Sequence, residues 1–280
     1  MDYFILAVIG VLMGLFGGLL GIGGSVVMIP ALVFAFGENQ HLYQASAMIC
    51  NFFVGASAVI VHKKADVLVM GVIKWLIPAA VLGIIIGVAI SNSSVFARGN
   101  SYLLARILGL FMIYVIVYNC LRFGRPHGGA NGFDISQTCR SAPLTILCGL
   151  LSGISAGMLG LGGGSVCVPA QQFFLKMPLK RAISNSAAII ASIALIGAFY
   201  KNITLPQHNI KGTPFSDVLQ NGNPAVESLR IAVVVIPGAI VGAFLGSLSM
   251  HKLHSDIVRA VFILLAALAC YKLLTVAPAG

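Results

Sequence analysis

The chain predicts an all-α polytopic membrane protein made of two inverted-topology repeats. Three observations carry that expectation. The composition is strongly apolar, one glycine-rich segment occurs twice, and the charge pattern puts equivalent loops of the two halves on opposite sides of a bilayer.

The 280 residues are 59% hydrophobic and 9% charged, against roughly 25% charged in soluble domains. Apolar runs of about 20 residues follow one another, each long enough for a roughly 30 Å hydrocarbon core. A formal net charge of +10 would suit nucleic acid. The basic residues, however, sit at the ends of apolar runs, where they set membrane orientation. The expected partner is therefore the lipid bilayer and no nucleic acid. The first apolar run lacks a basic leader and is one of the duplicated segments, so no cleavable signal peptide is expected. Cys50, Cys120, Cys148, Cys167 and Cys270 lie in apolar runs, Cys139 lies in a loop, and no CxxC pair occurs. They read as small packing residues rather than a disulfide framework. No metal or cofactor is expected.

Residues 10–31 read GVLMGLFGGLLGIGGSVVMIPA and residues 149–170 read GLLSGISAGMLGLGGGSVCVPA. At a constant offset of 139, as between Gly10 and Gly149, 11 of 22 positions are identical. A duplicated apolar segment interrupted by glycine points to a transporter with two internal repeats and a binding site where the interruptions meet. Spans are expected near 42–61, 72–91, 101–121, 182–200, 230–250 and 257–274. Segments 3–36 and 143–175 are too long for one crossing. Each reads as two short helices, re-entrant or paired, around a glycine turn and followed by three spans. The first repeat is then 1–121, a cytoplasmic linker covers 122–142, and the second repeat is 143–280. Stretch 201–229, with Lys201, Lys211, Asp217 and Glu227, reads as an extramembrane loop. A later match pairs IPAAVLGIIIG (77–87) with IPGAIVGAFLG (236–246), and Arg106 and Tyr118 with Arg259 and Tyr271.

Orientation follows from the basic clusters at His62-Lys63-Lys64, Arg122/Arg125/Arg140, Lys176/Lys180/Arg181 and Lys252/Arg259, placed on the cytoplasmic side. Loops 37–41, 91–100 and 201–229 then face outward. Loop 37–41 and its partner 176–181 come out on opposite sides, as do 62–66 and 201–229. That is inverted topology.

Gly10, Gly14, Gly18 and Gly149, Gly153, Gly157 recur every fourth residue, a stripe that lets helices approach closely. The following clusters break that period. Gly21, Gly23, Gly24 with Ser25, and Gly160, Gly162, Gly163, Gly164 with Ser165, suit turns whose backbone meets a ligand. A helix restarting after each turn presents unpaired N–H groups and a partial positive charge. The two ends together form a candidate anion site. Ser25 and Ser165 either donate to the ligand or cap their own helices. Asn51, Asn185 and Ser186, in the helices after the turns, either line the cavity or bond between helices. Lacking a preceding strand, the glycines are no dinucleotide fingerprint.

All seven acidic residues, Asp2, Glu38, Asp66, Asp134, Asp217, Glu227 and Asp256, fall in loops or at span ends. Cation transporters and proton pumps usually carry a carboxylate mid-membrane, so the expected substrate is a small anion. Arg106 and Arg259 begin spans, where snorkelling to the interface accounts for them.

The GLLGIGGSVVMIPAL and GMLGLGGGSVCVPA motifs resemble those of the TauE/SafE sulfite exporter family. So do the helices beginning at Ala45 and Ala182 and the later IP…G…G spans. The resemblance covers nearly the whole chain. It implies a multi-pass transporter in the bacterial or archaeal inner membrane, exporting sulfite or a related organosulfur anion. In that family the helix after each motif usually opens Ala-x-(Ala/Gly)-Thr-Ser. This chain has Ala45-Ser46-Ala47-Met48-Ile49 and Ala182-Ile183-Ser184-Asn185-Ser186. The alternative reading is an anion channel with the glycine apices as its filter. An enzyme is not expected, since no HExxH, GxSxG or buried acid–base pair occurs.

Overall fold

The computed structural model describes residues 2–37, 39–93, 101–121, 142–205 and 223–250, with single positions between 260 and 271. All of the 122–142 linker but Ala142, most of loop 201–229, and most of span 257–274 with Arg259 lie outside the described residues. So do Glu38, Asp134, Asp217 and Asp256.

The described residues form α1 (Asp2–Leu20), α2 (Ser25–Phe36), α3 (Gln40–Lys64), α4 (Met70–Ser91), α5 (Ser101–Leu121), α6 (Ala142–Leu159), α7 (Gly164–Phe174), α8 (Leu179–Thr204) and α9 (Pro224–Ser249). Among them, α1, α3, α4, α6, α8 and α9 are long and apolar enough to cross a membrane. The protein is a polytopic helical membrane protein. Large apolar side chains such as Phe34, Phe173, Phe199 and Val233 stand on the outer surface, where a soluble fold would not leave so many and lipid accepts them.

Glycine stripes decide which helices touch. A Cβ on Gly10, Gly14 or Gly18 of α1 would strike the backbone carbonyl of Val235, Ala239 or Ala243 on α9. On α6, a Cβ on Gly149, Gly153 or Gly157 would strike that of Leu76, Ala80 or Ile84 on α4. In both pairs the register climbs on both helices together, so each pair runs parallel. Without side chains between them the backbones close to direct contact, and dispersion replaces the hydrophobic drive that lipid does not supply.

α3 and α8 cross at the centre. Lys201 meets His41, Gly197 lies by Met48 and Gly55 by Ala187 and Ala191, and the Val69 amide reaches Asn185. Register rises on one helix as it falls on the other, so these two run antiparallel. Their first residues, Gln40 and Leu179, are again 139 apart. The helix ends differ from the hydropathy reading in one place. α8 continues to Thr204 and α9 begins at Pro224, so Lys201 and Glu227 lie in helices and are fully buried. Hydropathy ends a span at its first charge, whereas here Ser91, Asn92 and His41 inside the protein accept bonds from the Lys201 ammonium.

Candidate functional site

Two turns lie against α3 and α8 in the middle of the molecule. α1 closes with the Gly21 amide donating to the Gly17 carbonyl, and α6 closes with the Gly160 amide donating to that of Ala156. The chain then needs a backbone that L-residues rarely adopt. φ is +86° at Gly23 and +72° at Gly162, a region that costs other residues about 1–2 kcal/mol. Gly21, Gly160 and Gly163 also have positive φ, while Gly24 is right-handed. The two turns touch each other. A Cβ on Gly23 would strike the Leu161 carbonyl, and one on Gly164 the Gly21 carbonyl.

Side chains from the central helices hold the turns. Asn51 is fully buried. Its Nδ2 donates to Ser25 Oγ at 2.9 Å and its Oδ1 accepts from the Ser25 amide at 3.3 Å. Ser25 therefore does not cap its own helix; Asn51 brackets it. The same amide nitrogen stands 2.8 Å from where a Cβ on Gly162 would be, so Asn51 touches both turns. Ser186 Oγ lies 2.6 Å from the Gly21 carbonyl and donates to it, tying the first turn to a helix of the second half. Ser152 Oγ donates to the Gly163 carbonyl at 2.7 Å.

The second turn keeps polar atoms in reserve. Ser165 is 4% exposed and its Oγ has no hydrogen-bond partner. Gln44 lies over Gly160, its Nε2 donating to the Met158 carbonyl at 3.3 Å and its buried Oε1 unpartnered. Leaving such atoms unsatisfied costs about 1–3 kcal/mol each, which a ligand that bonds to them recovers.

The structure thus brings together Gly21, Gly23, Gly24, Ser25, Asn51, Gly160, Gly162, Gly163, Gly164, Ser165 and Ser186. Asn185 is engaged elsewhere. Its Oδ1 accepts from the Val69 amide at 3.0 Å, and its Nδ2 donates to Gln171 Oε1 at 3.2 Å and lies 3.3 Å from Met177 Sδ. Gln44 and Ser152 are additions that sequence reasoning missed. The available signal for Gln44 was its spacing: Gln40, Gln44 and Asn51 share one face of α3 at i, i+4 and i+11. Among the described residues no group of three or more His, Cys, Asp or Glu side chains could hold a metal ion.

The chain is similar to a set of proteins named probable membrane transporters. It is 25% identical to MamO of Magnetospirillum gryphiswaldense over 94% of its own length and 43% of that protein. It is 26% identical to YunE of Bacillus subtilis over 97% of its length and 98% of YunE. A third relative, from Haemophilus influenzae, is 25% identical over 72% of the chain and 76% of that protein. The chain spans less than half the length of the MamO proteins it matches. No solved structure matches it. The family model described as sulfite exporter TauE/SafE matches residues 6–273, and the chain belongs to that family of membrane transporters.

Proposed function

We propose that the protein exports sulfite or a related small organosulfur anion across the cell's inner membrane. The anion is held between the two glycine turns and exposed to each side in turn. One observation carries this reading. Two positive-φ turns meet at the crossing of α3 and α8, where the Ser165 hydroxyl is buried without a partner and can donate to an anion. Three described carboxylates, Asp2, Asp66 and Glu227, belong to the first turn of α1, the link after α3 and the first turn of α9. An anion between the turns therefore meets amide N–H groups and hydroxyls rather than like charge.

Alternating access needs two equivalent halves that face opposite ways. The antiparallel crossing of α3 and α8, which occupy equivalent places in the two repeats, supports that inverted arrangement. So does the exchange of partners, in which α1 packs along α9 while its equivalent α6 packs along α4. Counterflow in proteoliposomes tests the proposal, using sulfite, thiosulfate, sulfate, sulfoacetate and chloride. Saturable exchange of sulfite or an organosulfur anion is expected. Non-saturating flux without counterflow would instead favour an anion channel through the same turns.

A further inference from the structure

We propose that Lys201, buried among Ser91, Asn92 and His41 at one end of the α3–α8 pair, is the anion-contacting residue of the gate at that end. His62, at the equivalent place in the other repeat, then serves the opposite gate. This rests on the transport reading above and adds residues that reading does not use.

The equivalence comes from the repeat itself. The glycine motifs, the first residues of α3 and α8, and His62 and Lys201 are all 139 residues apart. Both bases occupy the last turn of their helix and both are fully buried. Because α3 and α8 run antiparallel, the two bases sit at opposite ends of the crossing. Two buried bases at equivalent sites are unusual in a chain with so few charges. A lysine there faces a desolvation cost that a neutral residue would avoid.

The surroundings of Lys201 suit an anion. Its Nζ donates to Ser91 Oγ at 2.7 Å, to Asn92 Oδ1 at 3.1 Å and to His41 Nδ1 at 3.1 Å. All three acceptors are neutral, and Nζ has no carboxylate partner among the described residues. The ends of α4 and α8 add the negative end of their dipoles, which holds the charge without cancelling it. The three acceptors use the three ammonium protons, so this is a closed arrangement. Separation of α3 from α4 and α8 breaks the bond to His41 and frees that proton for an incoming anion. Polar side chains continue inward from there along α3. Gln40, next to His41, is buried with both amide atoms unpartnered. Gln44, one helical turn further, lies over Gly160 of the second turn.

The test uses right-side-out and inside-out membrane vesicles with radiolabelled sulfite, alongside the melting temperature of the purified protein. Lys201→Gln should raise the half-saturating sulfite concentration about tenfold at one membrane face and little at the other, the size of one lost charge-assisted bond. His62→Gln should do so at the opposite face, and Lys201→Arg should restore most of the loss. Equal effects of Lys201→Gln at both faces, or no effect, with wild-type flux intact, would overturn the proposal; a mere structural latch gives the former with a lower melting temperature. If wild-type vesicles carry no sulfite flux, the melting arm decides. Stabilisation by sulfite or sulfate that vanishes in Lys201→Gln would keep the site and discard the transport reading. No stabilisation would discard both.

Discussion

The two glycine turns share one sequence pattern, yet they handle their polar groups in opposite ways. In the first, Asn51 takes both the hydroxyl and the amide of Ser25. At the offset of 139, Ser25 corresponds to Gly164 and Asn51 to Ile190, and the second turn has no such bracket. Its serine is displaced by one residue, and Ser165 Oγ is left without a partner. The first turn spends its hydrogen bonds on itself, and the second holds them back. In a symmetric pair, a ligand gains most from the half whose donors are not already engaged.

The comparison breaks most completely if the shared backbone is removed. Gly23→Leu and Gly162→Leu should each reduce anion exchange to background. Both force an L-residue to positive φ; a side chain at 23 strikes the Leu161 carbonyl of the facing turn, and one at 162 strikes Asn51 of α3. Counterflow on protein that still elutes as a folded species measures this. Near-normal exchange in both variants would remove the turns from the transport path.

The symmetry behind the comparison is itself open to test. With the native cysteines replaced, single cysteines in the link after α3 (65–69) and between α8 and α9 (206–222) should label from opposite faces of the membrane. Labelling of both from one face would mean that the halves are not inverted, and Ser25 and Ser165 would then not be related by exchange of sides.

How far the sequence could have revealed this contrast depends on the range of the interaction. The membrane class was legible because hydropathy is a sum over neighbouring residues. The ends of α1 and α2 fall around Gly21–Gly24, and those of α6 and α7 around Gly160–Gly163, because backbone geometry at a glycine is local. The bracket by Asn51 was not legible. It spans 26 residues, and α3 must be in place to deliver it. Gln44 was harder still, since its partner carbonyl at Met158 is 114 residues away and the residue sits at the polar edge of its span. Lys201 was read as loop because a charge ends a hydropathy window. Only the fold shows that Ser91, Asn92 and His41 converge on it.

A smaller effect sharpens the difference between the halves. Asn51→Ala removes both bonds to Ser25 and leaves a buried amide and hydroxyl unmatched, so it should lower stability by about 2–4 kcal/mol. Ile190→Ala, at the equivalent place, removes only apolar packing around Gly162 and Gly164. Its cost should follow the cavity it leaves, and no polar group is orphaned. Melting temperature together with counterflow separates the two. If Asn51→Ala proves as stable as the wild type, the bracket carries no energy and the first turn is as open as the second.

The smallest change is the most discriminating. Ser25→Ala and Ser165→Ala each delete one hydroxyl, and a symmetric site would respond equally to both. Ser25 Oγ already accepts from Asn51, so its removal strands Asn51 Nδ2 and should show chiefly as lost stability, about 1–2 kcal/mol. Ser165 Oγ has no partner to strand. Its removal should leave the empty protein as stable as before, or slightly more so, because an unsatisfied buried hydroxyl is gone. Affinity for the anion should fall by about 0.5–1.5 kcal/mol, the worth of one neutral hydrogen bond, or roughly two- to twelvefold in the dissociation constant. Thermal melting without anion and competition by unlabelled sulfite in counterflow read the two quantities separately. The reverse pattern, with Ser165→Ala destabilising the empty protein and Ser25→Ala weakening the anion alone, would place the ligand on the first turn and make the second the scaffold.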